Sequence, residues 1–135
     1  MTDPQTVLRQ FMDEAWNKRD LDAFPRYVSD KVRFHPPRGE PLDYDGYLKM
    51  ARAFQGAFSD LHFETLGTFG DATHAAARIV ITGTNDGPFR QWGPTGKRVR
   101  VVGRPMARVE NGKIVEFWQL FDELGMLQQL GHVPA

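Results

Sequence analysis

Arg108-Val-Glu-Asn-Gly-Lys-Ile-Val-Glu-Phe-Trp-Gln-Leu-Phe-Asp122, followed by Glu-Leu-Gly-Met-Leu-Gln-Gln-Leu-Gly131, is the stretch that decides the fold. Asn111-Gly112 is a two-residue hairpin signal, because the turn needs positive φ and these two residues tolerate it best. Asp122 offers an N-cap oxygen, and residues 123–130 read as a short helix closed by Gly131. A hairpin therefore runs directly into a helix. A period of two places Val115, Phe117, Gln119 and Phe121 on the inner face of the last strand. Ile114, Glu116, Trp118 and Leu120 fall on the outer face.

Upstream, residues 97–109 alternate cleanly. Val99, Val101, Gly103, Pro105, Ala107 and Val109 share one face, and Arg98, Arg100, Arg104 and Arg108 share the other with Val102 and Met106. The first set should face the core. Pro105 has no N–H to give a ladder, which marks an edge or a bulge. Residues 61–69 turn at Gly70-Asp71 into a strand over 72–84, whose inner face the alternation leaves open near 82–85. A loop over 85–96 precedes the alternating strand. Before these strands come helices. Asp3-Pro4 is an N-cap with proline at the first helical position, and Val7, Leu8, Phe11, Met12, Ala15 and Trp16 follow at helical spacing. Leu21, Phe24 and Val28 predict a second short helix. Residues 32–35 form a short extended piece ended by Pro36-Pro37. Asp43 or Asp45 caps a third helix reaching about Phe58. Helices followed by an antiparallel meander make a single α+β domain over 1–135.

The chain of 135 residues is 41% hydrophobic and 12% aromatic, enough to bury one core. Lys+Arg and Asp+Glu both number 17, so no charge excess points to nucleic acid or an anionic membrane. Without cysteine there is no disulfide, thiolate metal site or Cys nucleophile. The start, Met-Thr-Asp-Pro-Gln, lacks a basic segment followed by an apolar run, and a cytoplasmic protein is expected. The outer face of the last two strands mixes Arg and Glu with Trp, Leu and Met, which predicts a homodimer through that face.

The chain resembles the SnoaL-like polyketide cyclases of the nuclear transport factor two-like superfamily. The resemblance runs through Trp16-Asn-Lys-Arg-Asp20, Ala57-Phe-Ser-Asp-Leu61, Gly83-Thr84, Gly93-Pro-Thr-Gly-Lys97, Asn111-Gly-Lys-Ile-Val-Glu116, Trp118, Asp122 and Leu127-Gln-Gln-Leu-Gly131. It implies a cone: a curved antiparallel sheet wrapped around the N-terminal helices, enclosing an apolar pocket. It also implies ring closure of a polyketide-like substrate by acid/base chemistry next to a carbonyl, with no metal or cofactor. In the cyclases the last strand reads Glu-His-Trp-Asp, with the Asp as acid/base. Here it reads Glu116-Phe117-Trp118-Gln119, so Gln119 occupies the catalytic position. Gly83-Thr84-Asn85 stands where many relatives carry Gly-Thr-His.

An amide cannot accept a proton at neutral pH, but it can donate to a developing oxyanion. Gln119 is thus either an oxyanion donor or an amide tied to a neighbour. Asp122 is either a general base raised by apolar surroundings or the cap of the last helix. His35 is a proton relay at a pocket mouth or a hydrogen-bonded surface group. His62 and His74 show no metal-ligand spacing. Arg78 binds a substrate carboxylate or pairs internally with Glu64 or an Asp. The 93–97 segment lacks phosphate-loop spacing and reads as a rim, with Phe89 and Trp92 as lid residues. Trp16, Tyr27, Phe54, Phe58, Trp92, Phe117 and Phe121 are the aromatic candidates for lining a pocket around a small hydrophobic ligand. The function expected is a cofactor-independent cyclase, isomerase or hydro-lyase acting on a hydrophobic oxygenated molecule; the alternative is a binding or dimerisation module without turnover.

Overall fold

The computed structural model describes residues 3–134. Helix α1 (Pro4–Phe11) starts where the sequence places it, with the Asp3 carboxylate accepting from the Thr6 N–H at 2.8 Å. It runs on as a π-helical segment, Met12–Asn17, which keeps Met12, Ala15 and Trp16 buried. A 3₁₀ turn (Leu21–Ala23) leads into the one-turn helix α2 (Phe24–Tyr27) and then strand β1 (Val28–His35). Helix α3 (Tyr44–Ala57) is capped by Asp43, whose side chain accepts from the Gly46 N–H at 2.8 Å. The remaining elements are β2 (His62–Gly70), β3 (His74–Thr84), β4 (Arg98–Gly103), β5 (Met106–Glu110), β6 (Lys113–Trp118) and helix α4 (Glu123–Leu130). No helix among the described residues is long and apolar enough to cross a membrane.

The six strands form one sheet in the order β1-β6-β5-β3-β2, with β4 also on β3. The fold is α+β as expected, with two refinements. The sheet is mixed rather than wholly antiparallel, because β1 joins β6 in parallel, His35 beside Trp118. It is also open, ending at β1 and β2.

The strand read as continuous over 97–109 divides at Arg104-Pro105. Strand β3 stays whole, pairing Ile79–Thr84 with β4 and His74–Ala76 with β5. Proline supplies no ladder N–H, so the break falls where the sequence marked it. The Pro105 carbonyl still accepts from Ala77 N–H at 3.0 Å, and Arg104 N–H donates to the Leu120 carbonyl at 2.7 Å. Alternation survives the break: Val99, Val101, Gly103, Pro105, Ala107 and Val109 are all buried.

In β6 the expected alternation fails at one point. The β5–β6 register shifts between Arg108 and Val109, so Arg108 faces Glu116 while Val109 faces Ile114. The extra residue, Val115, forms a bulge that reverses the parity N-terminal to it. Ile114 is therefore buried, not outer, and Val115 lies outside beside Lys31 and Arg108.

The closed end of the concave face is filled by aromatic rings. Phe34 stacks on Tyr47 with centroids 3.9 Å apart, and Phe117 lies within 6.1 Å of Phe11, Phe34 and Tyr47. Phe117 is 1% exposed, whereas Val102 on the opposite face is 46% exposed. Phe117→Ala should therefore lower the unfolding free energy by about 3–5 kcal/mol in urea titrations. Val102→Ala should change it by about 0.5 kcal/mol or less in the same assay.

Candidate functional site

The other end of the concave face holds a cavity of about 450 Å³. The helices contribute Trp16, Met50 and Phe54 to its wall, and the sheet contributes Phe63 and Ile81. Trp16 is fixed from two directions. Its ring stacks on Phe63 with centroids 5.0 Å apart. The neighbouring Asn17 accepts from the Phe63 N–H at 2.7 Å and donates to its carbonyl at 3.0 Å. Buried Gln55 donates to the Ala15 carbonyl at 2.9 Å and ties α3 to the π segment. The wall is thus set by polar contacts placed behind it.

Four polar side chains reach the cavity: Gln119, Glu123, Arg38 and Arg90. Gln119 follows β6, where its N–H donates to the His35 carbonyl at 2.9 Å. Its side-chain amide takes no protein hydrogen bond among the described residues. Glu123 opens α4, where a negative charge suits the helix N-terminus. Its carboxylate is 15% exposed and accepts from Arg38 Nε at 2.7 Å and from an Arg90 Nη. Burial pushes the Glu123 carboxyl up, but the hydrogen bonds and charges of Arg90 and Arg38 outweigh it and hold it below the usual glutamate range.

The two arginines arrive on short, closed segments. Arg38 sits in a loop pinched at its base by paired hydrogen bonds between Phe34 and Leu42, at 2.8 and 2.9 Å. Arg90 sits in a turn closed by Phe89 and Trp92, with paired hydrogen bonds at 2.9 and 3.0 Å. Its φ of 56° lies in the left-handed region, which is costly for a side chain of this size. The segment over 85–96 hangs on Asn85, which is fully buried. The Asn85 amide donates to the carbonyls of Ala57 (3.1 Å) and Gly87 (2.9 Å) and accepts from Thr95 N–H (3.0 Å). Asn85 is thus an anchor for the cavity rim.

Of the residues singled out by sequence, the structure brings Trp16, Phe54, Gln119 and Phe121 to the cavity. It does not bring His35 there. Phe34 points into the core, so His35 lies on the outer face, where its Nε2 is 2.6 Å from Glu116 and its ring stacks on Trp118. The His35 hydrogen bond, helped by Arg108, holds the Glu116 carboxyl below its ordinary range. Asp122 is exposed and caps α4, accepting from Gly125 N–H at 2.9 Å. Tyr27 donates to Glu14 outside the cavity. Phe58 and Phe117 are fully buried behind its wall. Trp92 stacks on His132 with centroids 4.1 Å apart, and Phe89 is buried against Phe54 and Phe58, so neither forms a lid. Arg78 is exposed and has no ion-pair partner among the described residues. Glu123, Arg38 and Arg90 carry no local signal in the sequence, since loops and a helix start bring them together.

The family model for SnoaL-like polyketide cyclases matches residues 6–130, and the chain belongs to that family. It is similar to AclR of Streptomyces galilaeus, provisionally assigned as a hydroxylase, at 27% identity and a TM-score of 0.85, covering 97% of this chain and 83% of that one. It is also similar to IdmH of Streptomyces antibioticus, provisionally assigned as a polyketide cyclase, at 28% identity and a TM-score of 0.84, covering 96% and 99%. A SnoaL-like protein from Jannaschia sp. CCS1 shares the fold at a TM-score of 0.88 and 17% identity, covering 96% and 92%. No curated protein matches the chain significantly in sequence.

Glu123 has a depressed pKa in the folded state, so its stabilisation is present above the unfolded value and is lost as pH falls through the folded one. Glu123→Gln should therefore melt lower than the wild type at pH 7. The gap should narrow on acidification through the carboxylate range, read as thermal midpoints across a pH series.

Proposed function

We propose that this protein is a cyclase-type enzyme of its family that binds a hydrophobic, oxygenated small molecule in the cavity and moves a proton next to a carbonyl without a cofactor. The observation that carries this reading is the Gln119 amide, which lines an apolar cavity and has no protein partner among the described residues. Among apolar neighbours such an amide gains most from a carbonyl or enolate oxygen on a ligand. Trp16, Phe54 and Phe121 would pack the hydrocarbon. His35 and Asp122 are engaged elsewhere, which leaves Glu123 as the carboxylate facing the same space. Held ionised by its arginines, Glu123 is in the form that accepts a proton. Gln119 would stabilise the enolate so formed, and the proton held on Glu123 would return to the product.

Ligand binding without turnover is favoured by the sharing of Glu123 between two cations, and by the resemblance, which puts Gln119 at the position of the cyclases' carboxylate. Native mass spectrometry of freshly purified protein, before and after denaturing extraction, identifies a co-purifying molecule to assay. An enzyme should convert it or a close analogue, and Gln119→Leu should lower kcat about 100-fold or more. A binder should retain the compound unchanged in wild type and variant alike.

We also propose that the outer sheet face pairs with a second copy. Val102, Met106 and Leu120 are exposed there beside Trp118, at 46%, 36% and 58% for the first three. Sedimentation should show a dimer, and Leu120→Arg should shift it towards monomer while leaving the circular dichroism spectrum unchanged.

A further inference from the structure

We infer that the ligand of this cavity carries a carboxylate, which docks on Arg38 and Arg90 at the mouth while its apolar body lies inside. The inference rests on the reading that the cavity is the ligand site, and it adds the charge of the ligand. Three observations support it.

The first is the charge balance. The ionisable side chains lining the cavity are Arg38, Arg90 and Glu123, two cations against one anion. The excess positive charge sits where the cavity meets solvent, since the Arg38 side chain is 74% exposed and that of Arg90 is 34% exposed.

The second is the count of unused donors. A guanidinium offers five N–H groups in a planar fork. Among the described residues, Arg38 donates only through Nε and Arg90 only through one Nη. Both therefore keep N–H groups of the geometry that grips a carboxylate in two places.

The third is preorganisation. Glu123 holds both forks in place before any ligand arrives, so less side-chain freedom is lost on binding. Arg90 is further fixed by a left-handed backbone with φ of 56° and by lying 4.9 Å from the centroid of the Phe89 ring. A left-handed arginine in a four-residue turn is a local cost, and aiming its head at the cavity mouth explains the conformation. The rest of the cavity is almost wholly apolar, so an amphipathic acid fits it in one orientation.

The test is equilibrium dialysis with 2-naphthoate and its neutral counterpart 2-naphthamide, at low ionic strength. Wild-type protein should bind the carboxylate about tenfold or more tighter than the amide, the minimum for one charge-assisted hydrogen bond. The double variant Arg38→Gln/Arg90→Gln should abolish that preference and leave naphthamide affinity unchanged. Equal binding of the two probes by wild type would overturn the inference while keeping the cavity as a ligand site. So would a preference that survives in the double variant. Failure of either probe to bind would remove the cavity reading itself, and the inference with it.

Discussion

The sheet must curl, and the break between Gly103 and Met106 is what allows it. Strand β3 runs unbroken from His74 to Thr84 while its neighbour divides into β4 and β5. An irregularity of this kind bends the ladder beyond the ordinary twist of continuous strands. Pro105 cannot donate to one, and Gly103 lets Ile79 close in, since a Cβ there would lie 3.1 Å from an Ile79 carbon. The curl gives the concave face two ends. At one end aromatic rings from α1, β1, α3 and β6 close the space. At the other the same face runs on to Ile81 and Phe63, and α3 offers Met50 and Phe54 across a gap. The cavity is what the core leaves unfilled where the sheet bends away.

The chemistry gathers at the point where β6 ends and α4 begins. Gln119 leaves the strand with its N–H still bound to β1, and Glu123 starts the helix four residues later. Asp122 between them takes the capping role. One carboxylate is thus spent on the helix and the next faces the cavity. Arg38 and Arg90 come from two different loops and meet on that second carboxylate, which joins the two rim segments. The electrostatics of the mouth and its shape therefore have the same source.

Much of this was legible from the chain. Asp3-Pro4, Asp43, Asn111-Gly112 and Asp122 mark element ends because capping and turn chemistry are local. Alternation over 99–109 gave the right inner face because that face is wholly buried. The same period of two applied to the last strand misplaces Ile114 and Val115, because a bulge reverses parity and leaves no signature in composition. His35 could have been set outside from Val32 and Phe34, which alternate with it and are buried. The arginine–glutamate cluster had no local sign at all. Glu123 lies 33 residues from Arg90 and 85 from Arg38, and nothing short of the fold relates them.

The central claim is that the cavity beside Gln119, and not the His35–Trp118 patch on the outer face, receives the ligand. Protein NMR during titration with 2-naphthamide reads this directly, since the probe is neutral and ignores the arginines. The account predicts shifts of the Gln119 side-chain amide and of the Met50 and Ile81 methyl groups, with the outer-face methyls of Val102, Met106 and Leu120 unmoved. Shifts confined to those outer residues and the His35 ring would contradict it.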